Sequence, residues 1–506
     1  MMKWSMLHRS GDTTIKRRER ATPLPTDGGM MFDRSDAEPS DALAVAARHL
    51  RVEYAAGGRS ALWSRGYRAA YAWSGWLLFL GNAAVIIWLW IHNGGVSGIH
   101  GAADLMTSLG RITGLLGAYL LLIQLLLFAR LPWFVRHVGI DRLIVWHRRN
   151  GKICIVLILA HVVLITLGYA QSDRLSVLAQ VSSFLSSSSY PRMVRATIGT
   201  ALLILVVVTS LVIVRRRLRY EAWYLMHLAA YAAVLLTWYH QLPTGNEFIL
   251  SAAAAAYWTA LYLVTLALLV LFRVSRPLIR AFWYRLRVAE VTVESPTVVS
   301  LRMTGRHLGR LHARAGQFFL FRFLTPGRWW KSHPFSLSGA PDGQSLRITI
   351  KFAGDFTQHM GEIAPGTRVI AEGPLGLFTD AARRRTHVAL IAGGIGITPI
   401  RALLEEMAGD LVVIYRVARD DDVLFRDELD ALAQERGARL CYVIGDHRAP
   451  GNEHLMSPEH LRDIVPDLSA RDVYLCGPPA MMDVIERSVQ AIGVPRTHIH
   501  SERFAV

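Results

Sequence analysis

The sequence predicts an α-helical membrane bundle of six spans, followed by an antiparallel β-barrel domain and a parallel α/β domain. Three observations support this architecture. Apolar residues make up 52% of the 506 residues and are concentrated in the first half of the chain. After Arg287, apolar side chains alternate with a period of two, as in V-A-E-V-T-V and S-L-R-I-T-I-K-F. From His387 onward, strand-like runs alternate with helical segments.

Six apolar runs in the first half are each close to the ~20 residues that a membrane-spanning helix needs. They lie at about 72–91, 112–129, 148–170, 194–214, 221–240 and 251–272. Residues 1–70 precede them and are polar and basic, so we expect a cytoplasmic tail that is partly disordered. No apolar core follows its first charges, as a secretory signal would require.

Positive charge alternates between the connections that join the spans. Arginines crowd the connections at 130–152, 215–219 and 273–287, whereas 93–110 and 241–251 contain no Lys or Arg. Positive residues concentrate in cytoplasmic loops, so we expect a multi-pass plasma-membrane protein with both termini in the cytoplasm. Spans three and five then run in the same direction. This topology also accounts for the net charge of +17, and it replaces nucleic-acid binding as the explanation.

Two of the predicted spans carry histidines at matching positions. His147 and His161 are fourteen residues apart on span three, and His227 and His240 are thirteen apart on span five. At about 1.5 Å per residue, each pair covers roughly 20 Å of helix. Because the two spans run in the same direction, His147 should pair with His227 near the cytoplasmic side, and His161 with His240 near the outer side.

Facing imidazoles at two levels of a membrane bundle suit axial ligation of haem iron, because a porphyrin fills a gap that a bare metal would leave. We therefore predict two haems, with these four histidines as the iron ligands. Transport of a bare metal ion is the alternative, but the predicted spans contain almost no carboxylates. The three cysteines, Cys154, Cys441 and Cys476, form no C-x-x-C and argue against a zinc knuckle or a disulfide framework.

Four motifs stand out in the second half. K-S-H-P-F-S-L-S-G-A-P occupies 331–341, and I-T-I-K-F-A-G-D-F-T ends at Thr357. A-L-I-A-G-G-I-G-I-T-P ends at Pro399, at a predicted strand-to-helix turn. Glycines at such a turn admit a phosphate, and the helix N-terminus favours the anion. V-Y-L-C-G-P-P-A-M-M ends at Met482, where another strand runs into a turn and a helix.

With these motifs in this order, the C-terminal half resembles the ferredoxin-NADP reductase family. The whole chain after about residue 70 resembles the ferric reductase and NADPH oxidase superfamily. The resemblance implies a six-span ferric reductase-like haem domain at 71–275, an FAD-binding β-barrel domain at 286–380 and an NAD(P)-binding α/β domain at 385–506. It also implies FAD, two haem b groups and NADPH or NADH as cofactors.

By the same resemblance, the site residues of the second half fall into groups. The flavin would be bound by His333, Pro334, Phe335 and Ser336, with Lys351, Gly354, Phe356 and Thr357 at its pyrophosphate. The dinucleotide would be bound by Gly393, Gly394, Gly396, Thr398 and Pro399, and bordered at the nicotinamide by Cys476, Gly477 and Pro478. The expected catalytic residues are Ser336, Cys476 and Phe504, the last as an aromatic ring that stacks on the flavin.

The choice between NADPH and NADH rests on residues after the second strand of the α/β domain. Arg416 and Arg419 offer guanidinium groups, which hold a 2′-phosphate in a forked geometry. An acidic residue at that strand end would favour NADH, and Asp420, Asp421 and Asp422 come just later. We expect NADPH, with NADH as the alternative.

These features together predict a transmembrane oxidoreductase that moves electrons from cytoplasmic NADPH, through FAD and two haems, to an extracytoplasmic acceptor. Ferric iron or a ferric chelate is the expected acceptor. Dioxygen, reduced to superoxide, is one alternative, and a partner protein or a quinone is another. A non-enzymatic haem protein of the membrane would require degenerate flavin and nicotinamide motifs, and the motifs are intact. The short, mostly neutral outer loops do not identify the acceptor, and the sequence does not predict an oligomeric state.

Overall fold

The computed structural model describes residues 74–186, 193–218, 220–446 and 448–503. The predicted tail at 1–70 and the predicted flavin-stacking residue Phe504 lie outside these ranges. Contacts divide the described residues into two compact units, one that ends at Ile279 and one that begins at Arg280. The first unit is helical, and the second contains all the strands that the structure describes.

Eleven described helices precede the first described strand. In chain order they are α1 Ser74–Gly95, α2 Ala102–Phe128, α3 Pro132–Val138, α4 Ile140–Ser172, α5 Val177–Leu185, α6 Met193–Ser210, α7 Val212–Arg215, α8 Tyr220–Thr244, α9 Asn246–Leu250, α10 Ala252–Leu269 and α11 Arg276–Tyr284.

Five helical segments are long and apolar enough to cross a membrane: Ser74–Gly95, Ala102–Phe128, Arg142–Ser172, Met193–Ser210 and Ala252–Tyr284. Helix α8, which covers the predicted fifth span, has 25 residues but is not among them. Its histidines and its tyrosine and tryptophan side chains lower its hydropathy. The structure therefore supports a multi-pass membrane protein with five spans, and the sixth span remains a prediction.

Five predicted connections are wrong in extent, because they contain helical residues. Those at 241–251 and 273–287 contain α9 and α11, and the other three each have a local cause. Helix α2 begins at Ala102, so it occupies part of the predicted loop at 93–110; Asp104 in its first turn suits the positive end of a helix. Helix α4 includes the charged residues assigned to the loop at 130–152, since charged side chains at a membrane surface can remain helical. The serine-rich connection predicted at 173–195, between spans three and four, contains α5. The first turn of α5 is capped by Ser176, which accepts from the Ala179 amide at 3.2 Å.

Helix α2 packs along α4, and α6 packs along α8. Gly110, Gly114 and Gly117 lie on the face of α2 that meets α4, and a Cβ added at any of them would crowd an α4 side chain. Small residues at such positions let two membrane helices approach closely. At Gly114, the α4 side chain that fills the space is His161.

The second unit starts with an antiparallel barrel. Its strands are β1 Arg287–Ser295, β2 Val298–Thr304, β3 Phe318–Phe323, β4 His333–Ser336, β5 Ser345–Lys351 and β6 Val369–Leu375. They form two antiparallel sheets, in the orders β1-β2-β5 and β4-β3-β6. Bridges between Leu337 and Ile348, and between Arg287 and Arg368, join the two sheets at both seams. The period of two is confirmed on β3, which buries Phe319, Phe321 and Phe323 completely.

A parallel α/β domain follows the barrel. Its strands are β7 His387–Gly393, β8 Asp410–Val417, β9 Arg439–Ile444, β10 Asp472–Gly477 and β11 Ile499–Arg503, and its helices are α12 Ile397–Glu406, α13 Arg426–Arg436, α14 Pro458–Ile464 and α15 Pro479–Ile492. The sheet order is β11-β10-β7-β8-β9, and every pair is parallel. The chain leaves β7 toward β8, while β10 lies on the other side. The strand order therefore reverses direction between β7 and β10, and ligands bind at this position in such sheets.

An ionic cluster joins the barrel to the α/β domain. Arg401 on α12 donates to the Ser338 carbonyl at 2.9 Å and to Glu428 at 2.6 Å. Arg347 on β5 donates to both oxygens of the same Glu428 carboxylate, at 3.1 and 2.9 Å. Glu405, one helical turn from Arg401, accepts from Arg401 and from the Ala340 amide, both at 2.7 Å. The helix after the glycine-rich turn is thus tied to the segment that follows β4.

Candidate functional site

The four predicted haem ligands lie on α4 and α8. The ring centroids of His147 and His227 are 6.1 Å apart, and His161 is close enough to His240 to interact with it electrostatically. Because the first pair joins the early turns of both helices and the second pair joins their later turns, α4 and α8 run in the same direction. The structure therefore brings together the same two pairs that the sequence predicts.

Hydrogen bonds occupy one ring nitrogen on three of the four histidines. The Nδ1 atom of His161 lies 2.7 Å from the Gly110 carbonyl. The Nδ1 atoms of His227 and His240 lie 3.2 Å from the hydroxyls of Ser210 and Thr244. Each of these hydroxyls already donates to a backbone carbonyl, so it accepts from the imidazole. Such bonds fix the tautomer and leave Nε2 with its lone pair available to a metal.

The donor set fits haem better than a bare metal ion. Metal–nitrogen bonds of about 2 Å on both sides of an iron, plus the ring radii, place two axial imidazole centroids roughly 6 Å apart, and the His147–His227 pair lies at 6.1 Å. His147 Nδ1 is buried without a hydrogen-bond partner at normal distance. Within the described ranges, no group of three or more His, Cys, Asp or Glu side chains could hold a metal ion.

A buried ion pair lies beside the His161 level, and the sequence reasoning missed it. Arg111 pairs with Glu247, whose exposed fraction is only 3%. Glu247 also accepts from the Asn93 amide at 2.7 Å. Arg111 directly follows Gly110, whose carbonyl bonds to His161. No sequence signal pointed to this contact. Glu247 lies in a connection without Lys or Arg, and its partner Arg111 is 136 residues away.

The flavin motif forms a compact group on β4. Ser336 is buried, and its hydroxyl donates to Glu502 on β11 at 2.9 Å. His333 stacks on Phe356 with ring centroids 3.7 Å apart. Glu502 is a site residue that the sequence reasoning missed, although it lies in the same S-E-R-F run as Phe504.

The expected pyrophosphate loop is closed on itself. The Thr357 hydroxyl accepts from the amides of Ala353 and Gly354, at 2.8 and 3.1 Å, and donates to the Gly354 carbonyl. These donors were expected to face a pyrophosphate, but they bond within the loop. Lys351, at the end of β5, is exposed. Of the expected pyrophosphate contacts, Lys351 is therefore the one whose charged side chain is accessible to an anion.

The glycine-rich turn lies at the carboxyl end of β7, beside β10. Gly394 has a φ of +52°, and a Cβ there would meet nothing within 4 Å. A Cβ on Gly396 would collide with the Cys476 carbonyl, and one on Gly393 would collide with Met481. Gly396 therefore permits close packing of the turn on β10, Gly393 permits close packing on the start of α15, and Gly394 adopts a left-handed conformation. The turn leads into the N-terminus of α12, where Thr398 and Pro399 are buried.

Cys476, Gly477 and Pro478 border the same crevice from β10. Cys476 is fully buried, and it lies directly beside Glu502 in the parallel register of β10 and β11. Burial, followed by the nearby Glu502 carboxylate, raises the pKa of the Cys476 thiol well above its usual value. The thiol is therefore neutral at physiological pH, and it acts as packing beside the Ser336–Glu502 pair.

The two predicted 2′-phosphate ligands differ in their surroundings. Arg416 is buried, and its guanidinium donates to the carbonyls of Val417 and Val443. Arg419 is exposed and forms an ion pair with Asp422 at 3.3 Å. An exposed ion pair contributes little to stability and exchanges readily for a stronger anion. Of the two arginines, Arg419 is therefore the one whose guanidinium is accessible to a ligand.

Comparisons with known proteins agree with this division of the chain. A family model described as "Ferric reductase like transmembrane component" matches residues 113–238, "FAD-binding domain" matches 283–377, and "Oxidoreductase NAD-binding domain" matches 390–487.

The chain is similar to two bacterial reductases. It is 29% identical over 246 residues to ferredoxin--NADP reductase B of Sorangium cellulosum, which covers 45% of this chain and 100% of that protein. It is 30% identical over 241 residues to the ferredoxin--NAD(+) reductase component of the alkene monooxygenase system of Xanthobacter autotrophicus, which covers 44% of this chain and 70% of that protein. The chain spans about half the length of the fungal NADH-cytochrome b5 reductases that it matches, 41% and 56% for two of them.

Among solved structures, the chain is similar to the flavohem-like FAD/NAD binding domain of nitric oxide dioxygenase from Vibrio cholerae. That match has 24% identity and a TM-score of 0.37, and it covers 44% of this chain and 98% of that chain. The family assignment rests on the family models and the bacterial reductases. The chain belongs to the ferric reductase family, as an NAD(P)H- and FAD-dependent oxidoreductase in which a ferric reductase-like transmembrane component is fused to FAD-binding and NAD-binding domains.

Proposed function

We propose that this protein moves electrons from cytoplasmic NADPH, through FAD and two bis-histidine haems, to ferric iron or a ferric chelate on the other side of the membrane. The observation that carries the proposal is the pairing of His147 with His227 and of His161 with His240, at two levels of two helices that run in the same direction. Electron transfer across a membrane through two haems requires two such pairs of histidine ligands, one near each side of the membrane.

The proposed path gives α8 the role of a sixth span. Its histidines pair with those of α4, which is one of the five apolar spans. Histidine in a membrane is costly and faces the bundle interior, so the low hydropathy of α8 follows from its proposed ligands. With six spans, both termini lie on the cytoplasmic side, which also agrees with the arginine-rich connections.

The residues of the second unit would receive the substrate and hold the flavin. When bound, FAD accepts a hydride from NADPH and passes on electrons one at a time. The Ser336 hydroxyl donates to Glu502 at 2.9 Å, and this bond would fix the side chain where it borders the reacting edge of the flavin. The turn at Gly393–Gly396 would receive the NADPH pyrophosphate at the N-terminus of α12. Fully buried Cys476 would exclude water from the nicotinamide.

The acceptor is tested with membrane vesicles that contain the full chain and are supplied with NADPH. We expect reduction of a ferric chelate that continues without oxygen and forms little superoxide. Oxygen-dependent superoxide formation, with no anaerobic chelate reduction, would replace this proposal with the oxidase alternative. Reduction of an added quinone in preference to both would favour the remaining alternative.

His161→Leu should remove one haem and stop outward electron transfer, because it deletes one ligand of the outer pair and leaves the inner pair intact. Reduction of FAD by NADPH should persist. The measurements are haem content per chain, flavin absorbance after NADPH addition and reduction of an outside acceptor. The matched control is His92→Leu, since His92 is exposed and stacks only on Trp88 among the described rings. Two haems in the His161 variant would show that the pairing is wrong.

Gly114→Ala should displace the His161 ring, because the added Cβ would overlap it. We expect a loss or a spectral change of one haem, with the FAD content unchanged. Gly81→Ala is the control, since a Cβ at Gly81 meets nothing within 4 Å. An unaltered haem spectrum in the Gly114 variant would contradict the role that we assign to α2 in positioning the His161 ring.

Arg419→Ala should raise the KM for NADPH about tenfold and leave the KM for NADH unchanged. The reason is the loss of a charge-assisted contact to the 2′-phosphate. Arg487→Ala is the control, because Arg487 is exposed and donates to a carbonyl of its own helix. Equal KM values for NADPH in the variant and the wild type would contradict the assignment to Arg419.

A further inference from the structure

The connection between β3 and β4, residues 324–332, exposes two adjacent tryptophans. Trp329 is 61% exposed and Trp330 is 37% exposed, and Leu324 at the start of the connection is 41% exposed. Large apolar side chains that are grouped on a surface usually mark a site of interaction. We refer to residues 324–332 as the tryptophan loop.

The tryptophan loop is held in a defined conformation. The amides of Arg328 and Trp329 both donate to the Thr325 carbonyl at 3.1 Å, and the Lys331 amide donates to the Arg328 carbonyl at 2.9 Å. The Lys331 ammonium lies 5.2 Å from the centre of the Trp330 ring. The two indoles are thus presented by a closed turn with a cation beside them.

The loop leaves the barrel at the end where the chain enters it from the membrane helices. Phe323, the last residue of β3, pairs with Val369, the first residue of β6. The Leu324 amide donates to the Arg368 carbonyl at 2.9 Å, and Arg368 is bridged to Arg287, the first residue of β1. Helix α11 ends at Tyr284, so two residues separate the last apolar helix from this end of the barrel.

Positive charge surrounds the same end of the barrel. Arg285, Arg287 and Arg368 are exposed there, and Lys331 lies in the loop itself. Arg328, also in the loop, lies 4.0 Å from the exposed carboxylate of Glu362. Anionic phospholipid head groups are complementary to such a surface, and indole rings favour the boundary between head groups and acyl chains.

We propose that the tryptophan loop binds the anionic phospholipid surface of the membrane that the transmembrane component spans, with Trp329 and Trp330 inserted at the level of the head groups. The loop would hold the barrel against the membrane through a second attachment, in addition to the covalent link at Arg285. This binding surface is independent of the electron acceptor, so it does not rest on the proposed function.

The test uses the full chain in vesicles of phosphatidylcholine and phosphatidylglycerol, prepared with either ordinary lipids or lipids brominated near the head-group end of the acyl chains. Bromine quenches indoles that it contacts. The emission of Trp329 and Trp330 is obtained as the difference between the wild type and the variant with Trp329→Phe and Trp330→Phe. We expect this difference to be blue-shifted and strongly quenched by brominated lipid, and less quenched when phosphatidylglycerol is omitted.

The control adds Val293→Trp to the double phenylalanine variant. Val293 is 72% exposed and lies six residues along β1 from Arg287, roughly 20 Å away at strand spacing. The emission of the indole introduced at this position should not be quenched. A blue-shifted but unquenched difference for Trp329 and Trp330 would mean that protein covers them, and it would overturn the proposal. Equal quenching of the introduced indole and of the loop would do the same, and quenching that is indifferent to phosphatidylglycerol would overturn the anionic part.

Discussion

The close approach of α2 and α4 is the interaction on which the membrane part of this protein depends. An imidazole inside a membrane is costly unless its polar atoms are satisfied. Glycines on α2 bring its backbone near enough for the Gly110 carbonyl to reach His161, and Gly114 leaves room for the ring. The orientation of His161 then decides which nitrogen faces α8. Arg111 directly follows Gly110 on α2, and its ion pair with Glu247 joins α2 to the segment after α8. The helix that contacts His161 is therefore linked to the end of the helix that carries His240.

A comparable constraint organises the second unit. Glu428 accepts from Arg401 and Arg347, which belong to different domains of the unit. Arg401 extends from the helix that begins at the glycine-rich turn and reaches the carbonyl of Ser338, two residues after Ser336. The two arginines are largely buried, whereas 41% of the Glu428 side chain is exposed, so loss of Glu428 would leave two buried charges without this partner. The cluster therefore relates the position of the dinucleotide turn to the strand that carries the flavin motif.

Much of the fold could be predicted because its signals are local. The strand-like runs predicted in the α/β region, V-A-L-I, L-V-V-I-Y, R-L-C-Y-V-I and V-Y-L-C, are mostly apolar, and the structure has them as β7, β8, β9 and β10. Strand β11 was missed, since I-H-S-E-R has no such run and forms only by pairing with β10. The histidine pairs could be predicted from spacing and topology. Glu502 and Glu247 could not, because each acts through a partner more than a hundred residues away, Ser336 and Arg111.

The central claim is that electrons cross the membrane, and sealed inverted vesicles containing the full chain test it most directly. NADPH is added outside the vesicles, and ferricyanide, which does not cross the bilayer, is trapped inside them. If electrons cross, the trapped ferricyanide is reduced at the expense of the external NADPH. Reduction of ferricyanide only when it is added on the NADPH side, with the trapped pool remaining oxidised, would contradict the claim.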